Sequence, residues 1–173
     1  MLNDAAVASL DHIAVGFAAA RIEDRRDSSF LARSVFWSVL SLAPDADVVA
    51  FALGIPYAHP FGHRGASHSI LFALVLALAI AAFDRRHFLR MLVLGAIVVA
   101  SHGILDAFTD GGLGVALAWP FSNDRFFAPW RPIPVAPIGL GYFSARGMLV
   151  GATELFYFLP VFAWALWPRR KKE

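Results

Sequence analysis

Between Ile70 and Phe83 the chain reads ILFALVLALAIAAF, fourteen residues without one hydrogen-bonding side chain. A run like this is built for a medium in which the backbone must satisfy its own polar groups, and a helix is the simplest way to do that. It belongs to a third apolar segment at 68–83. Others lie at about 5–20, 34–55, 88–108 and 147–167, several of them close to the ~20 residues needed to cross a bilayer. The expected fold is an all-α membrane protein with about five transmembrane or membrane-embedded helices, forming a single helical domain over residues 1–173. Hydrophobic residues make up 58% of the chain and mean hydropathy is +0.61, both far above soluble averages. No internal repeat is visible. The start, MLNDAAVASLDH, has no basic stretch ahead of its apolar residues, so no cleavable signal peptide is expected.

The arginines orient this frame. Arg21, Arg25, Arg26 and Arg33 follow the first segment, and Arg85, Arg86 and Arg90 join the third to the fourth. Arg169, Arg170, Lys171 and Lys172 follow the fifth; together these hold eleven of the fifteen basic residues. The three places alternate so that all share one face, which the positive-inside rule makes cytoplasmic. The 56–67 loop and the long 109–146 loop then face outward. The second of these carries WPFSNDRFFAPWRPIP, whose prolines oppose a long helix and whose aromatics suit the headgroup region, so it reads as a structured outer cap. The basic residues form no stripe interleaved with aromatics, and no nucleic-acid partner is expected although the pI is near 9.4. There is no cysteine, which excludes disulfides, thiolate metal sites and cysteine nucleophiles.

Against this apolar background the titratable groups gather. His12 lies in the first segment, Asp45 and Asp47 in the second, His63 and His68 at the mouth of the third, and His102 and Asp106 near the end of the fourth. On the arginine-derived topology every one of them falls at mid-membrane or on the outer side; among intramembrane groups only Glu154 does not. His102 and Asp106 are four residues apart and share one helical face, as two ligands of one ion must. Pro44 breaks the second segment at PDAD, so that Asp45 and Asp47 can both turn inward. In HRGASHS, Gly65 permits a tight bend and Ser67 is the expected N-cap of the next helix, bringing His63 and His68 together. Taken alone, His102 and Asp106 serve equally well as a helix lock, and Asp45 and Asp47 as caps. Seven such groups together would repel or stay unpaired in lipid without a cation.

The candidate ligands are therefore His12, Asp45, Asp47, His63, His68, His102 and Asp106. Imidazole and carboxylate without sulfur suit zinc, with manganese or iron as alternatives. Seven exceed the needs of one tetrahedral ion, which points to two divalent ions. Such a pair activates water for hydrolysis. Asp45 or Asp47 would handle a proton if not a ligand, and Arg64 would neutralise an anionic oxygen such as a phosphate's. Asp11 points away from His12 on an ideal helix and supports it at most. Thr109 and Asp110 would cap the fourth segment or support its ligands. His59 and His87 read as solvated loop residues, and Glu154 as a helix bridge with Arg146.

In order along the chain, DH at 11–12, PDAD at 44–47, HRGASHS at 63–69, SHGILDAFTDGG at 101–112 and WPFS at 119–122 form a recognisable series. It resembles the bacterial membrane-bound metal-dependent hydrolase family, the LexA-regulated, YdjM-type inner-membrane proteins. The family pattern runs from an early His through PDxD, HRGxTHS and HxxxDxxT-G to W-P-F, and the match covers roughly residues 10–125. Ser67 stands where the family has threonine and keeps the hydroxyl; the last segment matches only as a hydrophobic span. The resemblance implies metal-dependent hydrolysis in the bacterial inner membrane, with the site on the periplasmic side. A more distant similarity to zinc-dependent phospholipases C favours phosphoester substrates, by analogy alone.

The expectation is thus an integral-membrane, metal-dependent hydrolase acting on a phosphoester or lipid-linked substrate, with membrane lipid as its surroundings. An ion-binding transporter and a scaffold with a structural metal are the alternatives. Five spans without a repeat, and polar groups favouring one face, count against transport.

Overall fold

A computed structural model describes residues 10–23, 28–135 and 143–168. The first residues of the 5–20 segment, Arg25 and Arg26, part of the cap loop at 136–142, and the basic cluster at 169–172 lie outside the described residues. Six α-helices are present among those described: α1 (Leu10–Glu23), α2 (Phe30–Ser41), α3 (Val49–Ala52), α4 (Ile70–Phe83), α5 (Phe88–Ala107) and α6 (Ala145–Leu166). The described residues contain no strand. All five expected segments hold helix, so the all-α membrane fold stands.

The helices differ in reach. Arg85–Ala107 and Ala145–Leu166 are each long and apolar enough to cross a membrane, and α2 with Ala43–Ala52 makes a third if that pair, bent by 46°, is one span. Against about five expected spans, two or three are long and apolar enough among the described residues. Helices α1 and α4 have 14 residues each. At 1.5 Å per residue α4 rises about 21 Å, short of a hydrocarbon core of about 30 Å.

Capping explains where α4 stops. The Ser69 hydroxyl accepts the Phe72 N–H at 3.1 Å and Asp84 closes the other end. The N-cap is therefore Ser69 and not Ser67, because a short 3-10 turn over Ala66–His68 intervenes before the helix begins. Asp84 then accepts the His87 N–H at 3.2 Å, which turns the chain directly into α5.

Helix α5 is the central element, packing on α1, α2 and α4, whereas α6 packs on α1. Close approach depends on small residues: a Cβ on Gly16 would sit 2.4 Å from the Ser38 backbone nitrogen, so α1 and α2 meet nearly backbone to backbone. The core between them holds Trp37, Leu40, Ala73, Leu94, Val98 and Val99. Buried Trp37 donates its indole N–H to Glu23 at 2.7 Å. Trp37→Phe is expected to lose about 1–2 kcal/mol by removing the donor from a buried carboxylate. Thermal unfolding in detergent checks this, and Phe36→Leu on the exposed side of α2 should change little.

Glu154 is fully buried in α6 and takes the backbone N–H of Leu10 at 3.0 Å, so it bridges helices through the start of α1. The cap loop is pinned to the end of α5: Asp110 N–H bonds Ile133 O at 2.9 Å and Ala128 N–H bonds Ala107 O at 2.8 Å.

Candidate metal centre

Four chain segments converge beside the C-terminal half of α5. The break at Pro44 becomes a 3-10 turn over Ala43–Val48, and this turn carries Asp45 and Asp47 together. The HRGASHS loop folds back so that Arg64 N–H reaches Asp47 at 3.2 Å. The left-handed residue in that loop is Arg64, at φ 59°, while Gly65 is at φ −89°. Gly65 is needed for space: a Cβ there would lie 2.2 Å from Pro60 O. A non-glycine residue at positive φ costs about 1 kcal/mol or more, and such positions persist where the surroundings over-determine them.

The surroundings here are explicit. The Arg64 guanidinium is buried; its Nε lies 3.1 Å from Asp106 Oδ2 and its Nη2 3.3 Å from Asp106 Oδ1. Its Nη1 donates to Thr109 Oγ1 at 2.9 Å and Gly111 O at 3.1 Å. The group expected to meet a substrate anion is thus engaged inside the protein, on a candidate ligand.

Asp45, His68, His102 and Asp106 form one group able to hold an ion. His102 Nδ1 lies 2.8 Å from Ser41 O. A carbonyl only accepts, so the proton is on Nδ1 and Nε2 carries a lone pair. His68 Nδ1 lies 3.1 Å from Asp47 Oδ2 and 3.0 Å from Ser67 Oγ, and Ser67 donates in turn to Asp47. The His68 Nδ1 side is therefore held by Asp47, and its Nε2 is turned inward as well. The two Nε2 atoms face each other at 3.1 Å. Asp45 Oδ1 stands 3.3 Å from His102 Nε2 and 3.5 Å from His68 Nε2. Asp106 Oδ2 stands 3.3 Å from His68 Nε2 and 3.8 Å from His102 Nε2. Neither oxygen of Asp45 has a hydrogen-bond partner.

The donor set fits a small divalent cation. A tetrahedron with bonds of 2.0–2.1 Å has edges of about 3.3–3.4 Å, and the five separations scatter around that value. Lone pairs and carboxylate oxygens that converge in this way repel unless a cation or a proton lies between them.

Asp47, His63 and His68 form a second group. Here His63 Nδ1 lies 2.7 Å from Asp47 Oδ1, and Asp47 takes contacts from His63, Arg64, Ser67 and His68. Buried His12 belongs to neither group. Its ring stacks on His102 at 3.8 Å, and its Nε2 lies 3.7 Å from Asp11 and 3.8 Å from Asp106. Asp11 is thus nearer to the centre than helical spacing implied, because its carboxylate folds back onto the His12 backbone N–H at 2.7 Å.

Several supporting groups were not legible in the sequence. Arg125 donates to the carbonyls of His63 at 3.0 Å and Tyr57 at 2.9 Å, tying the cap loop to HRGASHS. Burial pushes the Tyr57 phenol above its usual pKa while Arg64 pulls the other way, so it remains a donor at neutral pH. Thr109 was singled out as support and serves through Arg64. His59 is exposed as expected, whereas His87 pairs with Asp84 at 3.1 Å because the turn between α4 and α5 folds it back.

An all-helical, membrane-embedded chain with a buried His/Asp group able to hold a metal defines the class. The chain belongs to the YdjM inner membrane protein family, whose sequence pattern matches residues 7–171. Inner membrane protein YbcI of Escherichia coli (strain K12) is 41% identical over 141 residues, spanning 77% of this chain and 82% of that protein. No solved structure matches the chain. Family membership and the apolar helices support an inner-membrane location.

Proposed function

We propose that this protein is a metal-dependent hydrolase of the inner membrane, cleaving a phosphoester or another lipid-linked bond. The observation that carries the reading is the meeting of the His68 and His102 Nε2 atoms at 3.1 Å, flanked by Asp45 and Asp106. These four would hold the ion, and two nitrogens with two oxygens suit zinc, with manganese or iron as alternatives. A second ion would fall to Asp47 and His63, because His68, which both groups share, is committed to the first.

A divalent cation held there would supply Lewis acidity toward a water and a phosphoryl oxygen. The chain's own groups do the positioning. Ser41 O and Asp47 fix the tautomers and ring orientations of His102 and His68, the outer support on which ligand geometry depends. Arg64 holds Asp106, and His12 packs against the His102 ring. Asp45 is the most exposed of the four at 12% of its side chain, with both carboxylate oxygens buried. By the arginine-derived topology the centre lies toward the periplasmic side, at headgroup depth, in a multi-pass chain.

A structural ion is the second reading, favoured by the burial of His68, His102 and Asp106. Metal content by mass spectrometry on detergent-purified protein tests the common premise, with wild type beside His102→Ala and Asp45→Ala. One or two ions per chain are expected, with loss in both variants. No ion in wild type purified without chelator would remove both readings. With metal present, turnover of a phosphoester-bearing lipid in wild type but not in Asp45→Ala supports hydrolysis; none across a panel of such lipids leaves the structural ion.

A further inference from the structure

Along the N-terminal half of α5, with its mouth about 21 Å from His102 on the helix axis, lies a groove of about 840 Å³. One wall is the outer face of α5, where Leu89, Val93 and Ile97 repeat at i, i+4 and i+8 and are 69%, 51% and 60% exposed. The other is Ile22 at the end of α1, fixed by Arg90, which donates to Ile22 O at 2.7 Å. The mouth carries Arg85 and Arg86, both exposed, beside His87. Asp84, the acidic group of this turn, is turned onto His87 at 3.1 Å.

An apolar channel ending in guanidinium groups has the shape and charge of one kind of ligand. The geometry points to a binding site for an anionic glycerophospholipid, its phosphate on Arg85 and Arg86 and an acyl chain along Leu89, Val93 and Ile97. Two features favour it over a neutral lipid or a second copy of the chain. Cationic groups at the edge of an apolar face attract anionic headgroups, at about 1 kcal/mol per basic residue. A second copy seated on the same face by two-fold symmetry would set these arginines against their own kind. The site is independent of the metal centre and of any hydrolytic activity.

Native mass spectrometry of the full chain, released from micelles doped with phosphatidylglycerol or phosphatidylcholine of matched chains, reads the site directly. Wild type is expected to retain phosphatidylglycerol in preference, and Arg85→Gln with Arg86→Gln should lose about thirtyfold of that preference, consistent with two basic groups removed. Thermal unfolding of the variant without lipid, if unchanged, shows that the fold is intact; Arg131→Gln, remote from the groove, should retain the wild-type preference. Three results would overturn the proposal. One is equal retention of both lipids. Another is protection of wild type against unfolding by inorganic phosphate alone to the same extent as by phosphatidylglycerol. The third is a lipid-independent dimer lost on Val93→Asn.

Discussion

Asp106→Ala is expected to be the most damaging single substitution in the chain, costing about 3–5 kcal/mol of stability, the range for a buried charge stripped of its partner. The residue stranded is Arg64, whose Nε and Nη2 lie 3.1 and 3.3 Å from the Asp106 carboxylate in a place closed to water. The loss exceeds that of one ion pair because Arg64 also holds the HRGASHS loop in its left-handed turn, and with it His63 and His68. Asp106→Asn separates the two roles of the carboxylate. The amide oxygen still accepts from Arg64, so much of the stability should return, while the charge offered to a cation does not. Thermal unfolding and metal content measured together check this. Wild-type stability in Asp106→Ala would mean that Arg64 finds another acceptor, and unreduced metal in Asp106→Asn would remove Asp106 from the cage.

Gly103→Ala is expected to have the second-largest effect, although it alters no polar group. A Cβ there would lie 2.4 Å from the His68 backbone oxygen, with the Leu117 side chain at 3.1 Å on the other side. A backbone carbonyl cannot rotate out of the way as a side chain can. Either α5 moves outward or the turn carrying His68 does, and overpacking of this kind costs about 1–3 kcal/mol. The movement acts on the separation between the His68 and His102 Nε2 atoms, because His102 adjoins the substituted residue on α5. Metal affinity should therefore fall by about tenfold or more, as it does when outer supports of a ligand are disturbed. Ile104→Ala, one residue on and exposed, should leave both quantities near wild type. Full metal retention in Gly103→Ala would show that His68 is held by the loop alone.

Part of this arrangement was legible because it is local. The four-residue spacing of His102 and Asp106 fixes them to one face of α5 whatever else happens. Pro44 announces a break, and the 46° bend puts Asp45 on the inner side. What could not be read depends on contacts across the chain. Arg64 looks like a free cation in HRGASHS; that it is consumed by Asp106, Thr109 and Gly111 follows only from the cap loop returning beside it. The extent of α4 was legible as well, because its apolar run stops at Phe83 before Asp84, Arg85 and Arg86. What the sequence leaves open is the starting cap, Ser67 or Ser69, while Asp84 marks the far end; the two caps are each a single side chain. The fold class was secure because it follows from composition, whereas the number of full crossings depended on those caps.

One helix stands apart from all this chemistry. Helix α6 packs on α1 and carries none of the groups around the centre; what ties it down is the Glu154 carboxylate on Leu10 N–H and the carbonyls of Ala165 and Trp167 on Arg21. The three atoms that Glu154 and Arg21 reach, Leu10 N, Ala165 O and Trp167 O, are backbone, which any residue supplies. Selection on α6 is therefore expected to act through thickness and fit, leaving its letters other than Glu154 free to drift while the region from Asp45 to Gly111 is held still. A lineage could retune this protein to a different bilayer by rewriting α6 and never disturb the centre.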